Sequence, residues 1–255
     1  MSRRSLVSPR EPRLQVWSFA GVITLLLLWE LGAWSFGSDL IFPGPLPVLK
    51  QLISLVPTER FLRALLYSFG RVLLGVLVSV PLSVLVGIAA GVDKRGGAFF
   101  RPLYSVIAAT PVMSVILIVF LMLGQEQTPV FTAFLMIFPV MSVNTIEGVR
   151  SVDPRIQELF RVYPLSRGEK LRYLYIPALM PFILGGLRSS LSLCWKVVVA
   201  AEVLVQPVLA LGTGMQMAKA QFETPELFAW TVATVAAAAL SQGLLNLFLL
   251  VYKRP

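Results

Sequence analysis

The 255-residue sequence has no histidine and a single cysteine, Cys194. The first absence removes His-based catalytic triads and most zinc sites, and the second removes any disulfide framework within the chain. Charge is scarce as well: 14% of residues are charged, against about 25% in an ordinary soluble domain. A G-x-x-x-x-G-K-[ST] phosphate loop is also missing, so no P-loop ATPase is encoded here. What is abundant is apolar surface, with 56% hydrophobic residues and a mean hydropathy of +0.79. This composition fits a bilayer and a single domain-sized unit, because no segment is polar enough to form a second, soluble domain.

A hydrocarbon core about 30 Å thick needs about 20 apolar residues in a helix. Six runs meet that length: Val16–Phe36, Leu65–Gly91, Tyr104–Gly124, Val130–Ile146, Ala178–Val205 and Leu227–Val251. The first is long and lacks a small-residue cleavage site after it, so it reads as a retained span and not a signal peptide. Residues 1–40 then form an amino-terminal tail with one span, and residues 41–255 a core of five. The formal charge of +9 follows membrane topology and gives no reason to invoke nucleic acid. With both termini cytoplasmic, 15 of the 22 Lys and Arg fall on inner segments and only Lys50, Arg60, Arg63 and Lys219 on outer ones. That bias predicts a multi-pass membrane protein with an N-in, C-in topology.

Pro81, Pro111 and Pro139 lie inside the apolar runs and predict kinks within a helix bundle. Gly87 and Gly91, in GIAAG, make a small-xxx-small pair suited to close helix approach.

Between the fourth and fifth runs lies a polar island, Asp153 to Pro177, DPRIQELFRVYPLSRGEKLRYLYIP. Asp153-Pro154 is a helix start, since the carboxylate accepts orphan N–H bonds and proline is pre-set for the first turn. The helix carries Ile156, Leu159, Phe160 and Tyr163 on one apolar stripe and stops at Pro164. Ser166-Arg167-Gly168-Glu169 is a capping box that opens a second helix toward Tyr175, with Pro177 separating it from the fifth span. Two readings fit this pattern: an amphipathic pair lying in the lipid interface, or a surface built to dock a partner.

The island resembles the cytoplasmic loop of permease subunits of binding-protein-dependent ABC importers. That family's pattern is Glu-Ala-Ala, three residues, Gly, nine residues, Ile, one residue, Leu-Pro. Here Glu158 stands at the Glu, Leu159 and Phe160 at the alanines, Pro164 at the glycine, Leu174 at the isoleucine and Ile176-Pro177 at the Leu-Pro. The spacing is kept, but bulkier and stiffer residues replace three small or flexible ones. The stretches Ile41–Leu52, Asn144–Arg155 and Pro177–Glu202 are similar to the subgroup that imports nitrate, sulfonates, taurine and related small solutes.

The resemblance implies an all-α protein of the bacterial inner membrane, with six transmembrane helices in the type I importer permease (MetI-like) architecture. Its coupling helix would be carried by Ile156, Glu158, Leu159, Phe160, Tyr163, Pro164 and Leu165, inserted into a groove on a separate ATPase subunit. ATP and magnesium would be bound by that partner and no cofactor by this chain, which would act as a transport subunit and not an enzyme. A second permease copy, most simply a homodimer, and an extracytoplasmic solute-binding protein complete the implied assembly.

Ionisable residues inside spans are costly and usually face a cavity or a partner. Arg188, Lys196 and Glu202 lie along the fifth span, where the resemblance places pathway-lining and dimer-facing positions. Lys196 departs from the family, which usually has an apolar residue after that tryptophan. Arg188 and Lys196 are about 80° apart around a helix, and Lys196 and Glu202 about 120°, so the three cannot share one narrow face. Lys196, with Arg188, would give the pathway a positive potential for an anionic or polar solute; a structural ion pair or a snorkelling side chain is the alternative. Glu147 and Arg150, just ahead of the island, are candidates for a cytoplasmic gate. An ion-coupled carrier working without an ATPase is the competing function, but no internal repeat is visible and Glu30 and Glu202 are nearly the only acids within spans. A membrane enzyme is harder still to assemble without histidine.

Overall fold

In the computed structural model, the structure describes residues 12–152 and 166–252. Helix is the only regular secondary structure among the described residues. In chain order they form α1 (Pro12–Phe36), α2 (Pro45–Leu55), α3 (Glu59–Val92), α4 (Lys94–Ala109) and α5 (Val112–Arg150). After the island come α6 (Arg167–Lys170), α7 (Ile176–Val205), α8 (Leu211–Ala220) and α9 (Thr224–Tyr252). Five helices among the described residues are long and apolar enough to cross a membrane.

The count of five and not six has a local cause. The predicted span Tyr104–Gly124 is divided where Thr110 and Pro111 adopt extended backbone, with ψ of 127° and 129°. Pro111 has no N–H to donate and its ring pushes the preceding residue out of the helical region. Thr110 seals the end of α4, its hydroxyl donating to the Val106 carbonyl at 2.7 Å and its N–H reaching the same oxygen at 3.0 Å. Pro81 and Pro139 instead lie within continuous helices. The predicted boundary between the third and fourth spans falls on Gly124, whose φ of 74° bends α5 into two helical pieces. That left-handed region is open to glycine at little cost.

The centre of the bundle is α3, the second piece of α5, and α7. Three contacts between α3 and α5 (Gly75 with Ala133, Gly87 with Thr145, Gly91 with Val149) join residues always 58 apart in the chain, so the helices run parallel and in register. A Cβ at Gly87 would lie 2.5 Å from the Thr145 Cβ, and one at Gly91 2.7 Å from the Val149 Cβ. These are the two glycines of the GIAAG pair, and their missing side chains set the helix separation. Ser79 and Ser83 continue the same buried seam. In lipid there is little hydrophobic drive between helices, so dense van der Waals contact of this kind holds them together.

Helix α7 packs antiparallel to both partners. Gly148 meets Leu179 and Phe182, while Gly186 meets Met141 and Asn144. Cys194 is buried against α3, its Sγ 3.5 Å from the Val72 carbonyl oxygen. Helix α1 is attached mainly through an aromatic cluster: Trp29 stacks on Phe228 at 6.1 Å and its indole N–H donates to the Pro43 carbonyl at 2.9 Å. Most of its remaining surface is exposed.

The capping box forms as the spacing predicts. The Ser166 N–H and hydroxyl donate to Glu169 Oε2 at 2.9 and 2.7 Å, and the Glu169 N–H returns to the Ser166 hydroxyl at 3.3 Å. The expected separation at Pro177 does not form. Helix α6 passes through a π-helical segment, Leu171–Tyr175, directly into α7, in whose first turn Pro177 sits. The widened turn precedes the proline, where the ring would otherwise crowd the carbonyl four residues back.

Candidate functional site

Two short helices, α2 and α8, lie at the end of the bundle opposite the island. Here α7 ends at Gln206, in the left-handed region with φ of 51°, and the chain loops through residues 206–210 into α8. The loop is fixed from below by side chains from three other helices. Glu202 is fully buried and Arg71 is 6% exposed. The Arg71 Nη1 donates to Glu202 Oε1 at 3.0 Å and to the Leu209 carbonyl at 2.8 Å, while Nη2 donates to Glu126 Oε2 at 2.7 Å. The second Glu126 oxygen accepts the Val208 N–H at 3.0 Å.

Ser68, one helical turn from Arg71, completes the arrangement. Its hydroxyl lies 2.8 Å from both Glu202 oxygens and accepts the Leu211 N–H at 3.0 Å, while the Gly212 N–H donates to Glu202 Oε2 at 3.2 Å. The first turn of α8 therefore delivers two N–H groups, helix ends being otherwise short of partners. A Cβ on Gly212 would sit 2.5 Å from the Val203 nitrogen, so only glycine lets α8 approach α7 this closely. Three donors, the Ser68 hydroxyl, the Arg71 guanidinium and the Gly212 N–H, face the buried carboxylate. That is the condition under which a buried charge is tolerated, and it makes the cluster a latch between α3, α5, α7 and α8.

The three ionisable residues of the fifth span thus have different surroundings. Glu202 belongs to the latch. Lys196 is exposed in a groove of about 450 Å³ between α7, α8 and α9, beside Ser192, Trp195, Thr231 and Thr234. Arg188 is exposed further along α7 and forms no ion pair among the described residues. Glu147 and Arg150 are exposed at the island end of α5, on the wall of a second cavity. Ile156, Glu158, Leu159, Phe160, Tyr163, Pro164 and Leu165 lie outside the described residues. Sequence reasoning gave no role to Arg71, Ser68 or Glu126. An arginine twelve residues into an apolar helix was the available signal, since such a charge needs a partner.

This is the construction of a polytopic transport bundle: closely packed spans, an ion-paired latch at one end and a polar island at the other. Among the described residues no group of His, Cys, Asp and Glu is placed to hold a metal. Residues 60–254 match the family model of the binding-protein-dependent transport system inner membrane component, and the chain belongs to that family. It is similar to a probable ABC transporter permease protein of Brucella melitensis, with 31% identity over 92% of this chain and 91% of the relative. The bicarbonate transport system permease protein of Synechococcus elongatus is 27% identical over 76% of this chain and 73% of its own. For the taurine transport system permease protein of Escherichia coli the figures are 26%, 90% and 84%. The chain is thus a multi-pass inner-membrane permease subunit of an ATP-driven importer, and its family implies an ATPase subunit and a solute-binding protein as partners.

Proposed function

We propose that two copies of this chain form the transmembrane path of an importer for a small anionic or polar solute, with both termini cytoplasmic. The ATPase groove receives Ile156, Glu158, Leu159, Phe160, Tyr163, Pro164 and Leu165, and ATP and magnesium stay on that partner. The chain performs no chemistry itself. Lys196 supplies the attraction for the solute, with Arg188 further along the same helix, and Glu202 holds the path's frame through the latch. The observation that carries this reading is the Lys196 ammonium, exposed in its groove with no acidic partner among the described residues. An unpaired cation suits an anion, and relatives are named for bicarbonate and taurine.

The test is uptake into proteoliposomes holding this chain, its ATPase subunit and its binding protein, with labelled nitrate, bicarbonate and taurine offered in turn. Uptake should require ATP and survive an uncoupler. Lys196→Met should lower it about tenfold or more, the scale of one lost hydrogen bond to a charged group. Undiminished uptake by that variant would remove Lys196 from the path. Uptake driven by an ion gradient without ATP would instead favour a carrier, a reading that the pairing of the buried acid Glu202 with Arg71 already disfavours.

A further inference from the structure

At the island end, α3, α4 and α5 line an open, partly polar cavity of about 860 Å³. Arg101 of α4 and Arg150 of α5 line it, together with Tyr104, Ser105 and Glu147. Neither guanidinium forms an ion pair or side-chain hydrogen bond among the described residues, although Glu147 shares the wall. The Arg150 group is held against backbone, since a Cβ on Gly97 would fall 2.5 Å from its Nη2. Tyr104 is 8% exposed and its phenol oxygen is closed off from the cavity, so the residue contributes apolar wall. The Ser105 hydroxyl donates back to the Arg101 carbonyl at 3.0 Å and so offers the cavity only lone pairs.

The donor set defines the ligand. Two guanidinium forks supply donors, against one carboxylate, leaving the wall with a net positive charge. Planar forks match oxygens carried on a single phosphorus or sulfur, which a point charge would not select. We propose that this cavity binds an oxyanion head, a phosphate or sulfonate, seated between Arg101 and Arg150. Two sources carry that chemistry: the headgroup of an anionic lipid in the adjoining leaflet, or a free oxyanion in the water at that end. Arg150 lies three residues before the island, so an occupied site would brace the root of the segment that follows it.

The site goes beyond the transport reading, and its test needs neither transport nor a known orientation. The full-length chain is placed in phosphatidylcholine nanodiscs and its thermal unfolding midpoint followed. In one arm potassium phosphate or methanesulfonate replaces chloride at constant ionic strength; in the other cardiolipin is added to the lipid. A saturable rise in the midpoint is expected in at least one arm, and the arm that responds names the source. Half-saturation should weaken about fivefold in Arg101→Gln and in Arg150→Gln, and the response should vanish in the double variant. Gly97→Ala displaces Arg150 while keeping its charge and should also weaken the response, which preserves the test if an arginine variant does not fold. No saturable rise in either arm, or an equal rise in the folded variants, would overturn the proposal.

Discussion

The latch makes a quantitative demand on Arg71 and Glu202. Glu202→Ala leaves an arginine that is 6% exposed with only Glu126 and the Leu209 carbonyl to face, and strips an acceptor from Ser68 and Gly212. Breaking a buried ion pair from one side typically costs about 3–5 kcal/mol, a large share of the roughly 5–15 kcal/mol that holds a folded domain together. Arg71→Met should cost a similar amount, because it leaves the carboxylate buried with two neutral donors. The pair replaced as a whole, Arg71→Met with Glu202→Met, should fare much better than the sum of the singles. Apolar residues of similar volume often substitute for a buried pair without loss. The remaining deficit should be about 1–3 kcal/mol, from the Gly212 N–H and the Ser68 hydroxyl, which lose their shared acceptor. Denaturant unfolding of the purified chain in one detergent, run as a double-mutant cycle, measures the coupling directly. Additive singles would mean that the two residues do not depend on each other, and the latch would lose its physical basis.

The helix seam predicts that Gly87→Ala, with its Cβ 2.5 Å from the Thr145 Cβ and 2.9 Å from the Ser142 carbonyl, destabilises by about 1–3 kcal/mol. Gly70→Ala on the same helix meets nothing within 4 Å and should be neutral or slightly stabilising in the same unfolding assay. Gly212→Ala pushes against backbone at 2.5 Å and should be worse than Gly87→Ala, with faster hydrogen exchange at Leu211 and Gly212 as the local readout. At the island, the Ser166 side chain and then its backbone N–H hold the Glu169 carboxyl below its ordinary value. A carboxylate lowered on folding stabilises fully above its unfolded value and loses that contribution as pH falls through its lowered one. Exchange at Ser166 should therefore accelerate only in the acid range, and in Glu169→Gln it should no longer follow that titration.

Much of the bundle was legible because hydropathy and small-residue spacing are local signals. Gly87 and Gly91, four apart in an apolar run, announce a close approach, and the structure puts Thr145 and Val149 against them. Ser166 and Glu169 announce a cap for the same reason. The latch was not legible, because its partners are 131 residues apart, and nothing near Arg71 in the chain names Glu202 as the residue it will meet. The prolines mark a further limit. Pro81, Pro111 and Pro139 look alike in sequence, yet only Pro111 breaks its span, where the preceding threonine satisfies the last turn of α4. Pro177 was expected to end a helix and instead joins α6 to α7 through a π-segment, since one wide turn relieves the ring without breaking the chain's course.

The placement of these features bears on how a push at the island would travel. The segment 153–165 is the chain between the end of α5 and the start of α6, which runs into α7, so force applied there enters both central helices together. Those helices are not free to slide separately, because Gly148 and Gly186 each take a side chain of the other helix into the space a Cβ would fill. Helix α3 is bound to α5 by the glycine seam and to α7 by Ser68, Arg71 and Cys194. Close-packed contacts of this kind transmit strain and do not absorb it. The triplet should accordingly move as one body. Its compliant points are then the places where helix geometry is already interrupted: Thr110–Pro111, Gly124 and the π-turn at Leu171–Tyr175. Two of these flank α5's first piece, so the short helix 112–123 is the element that can tilt against the body while the latch stays closed.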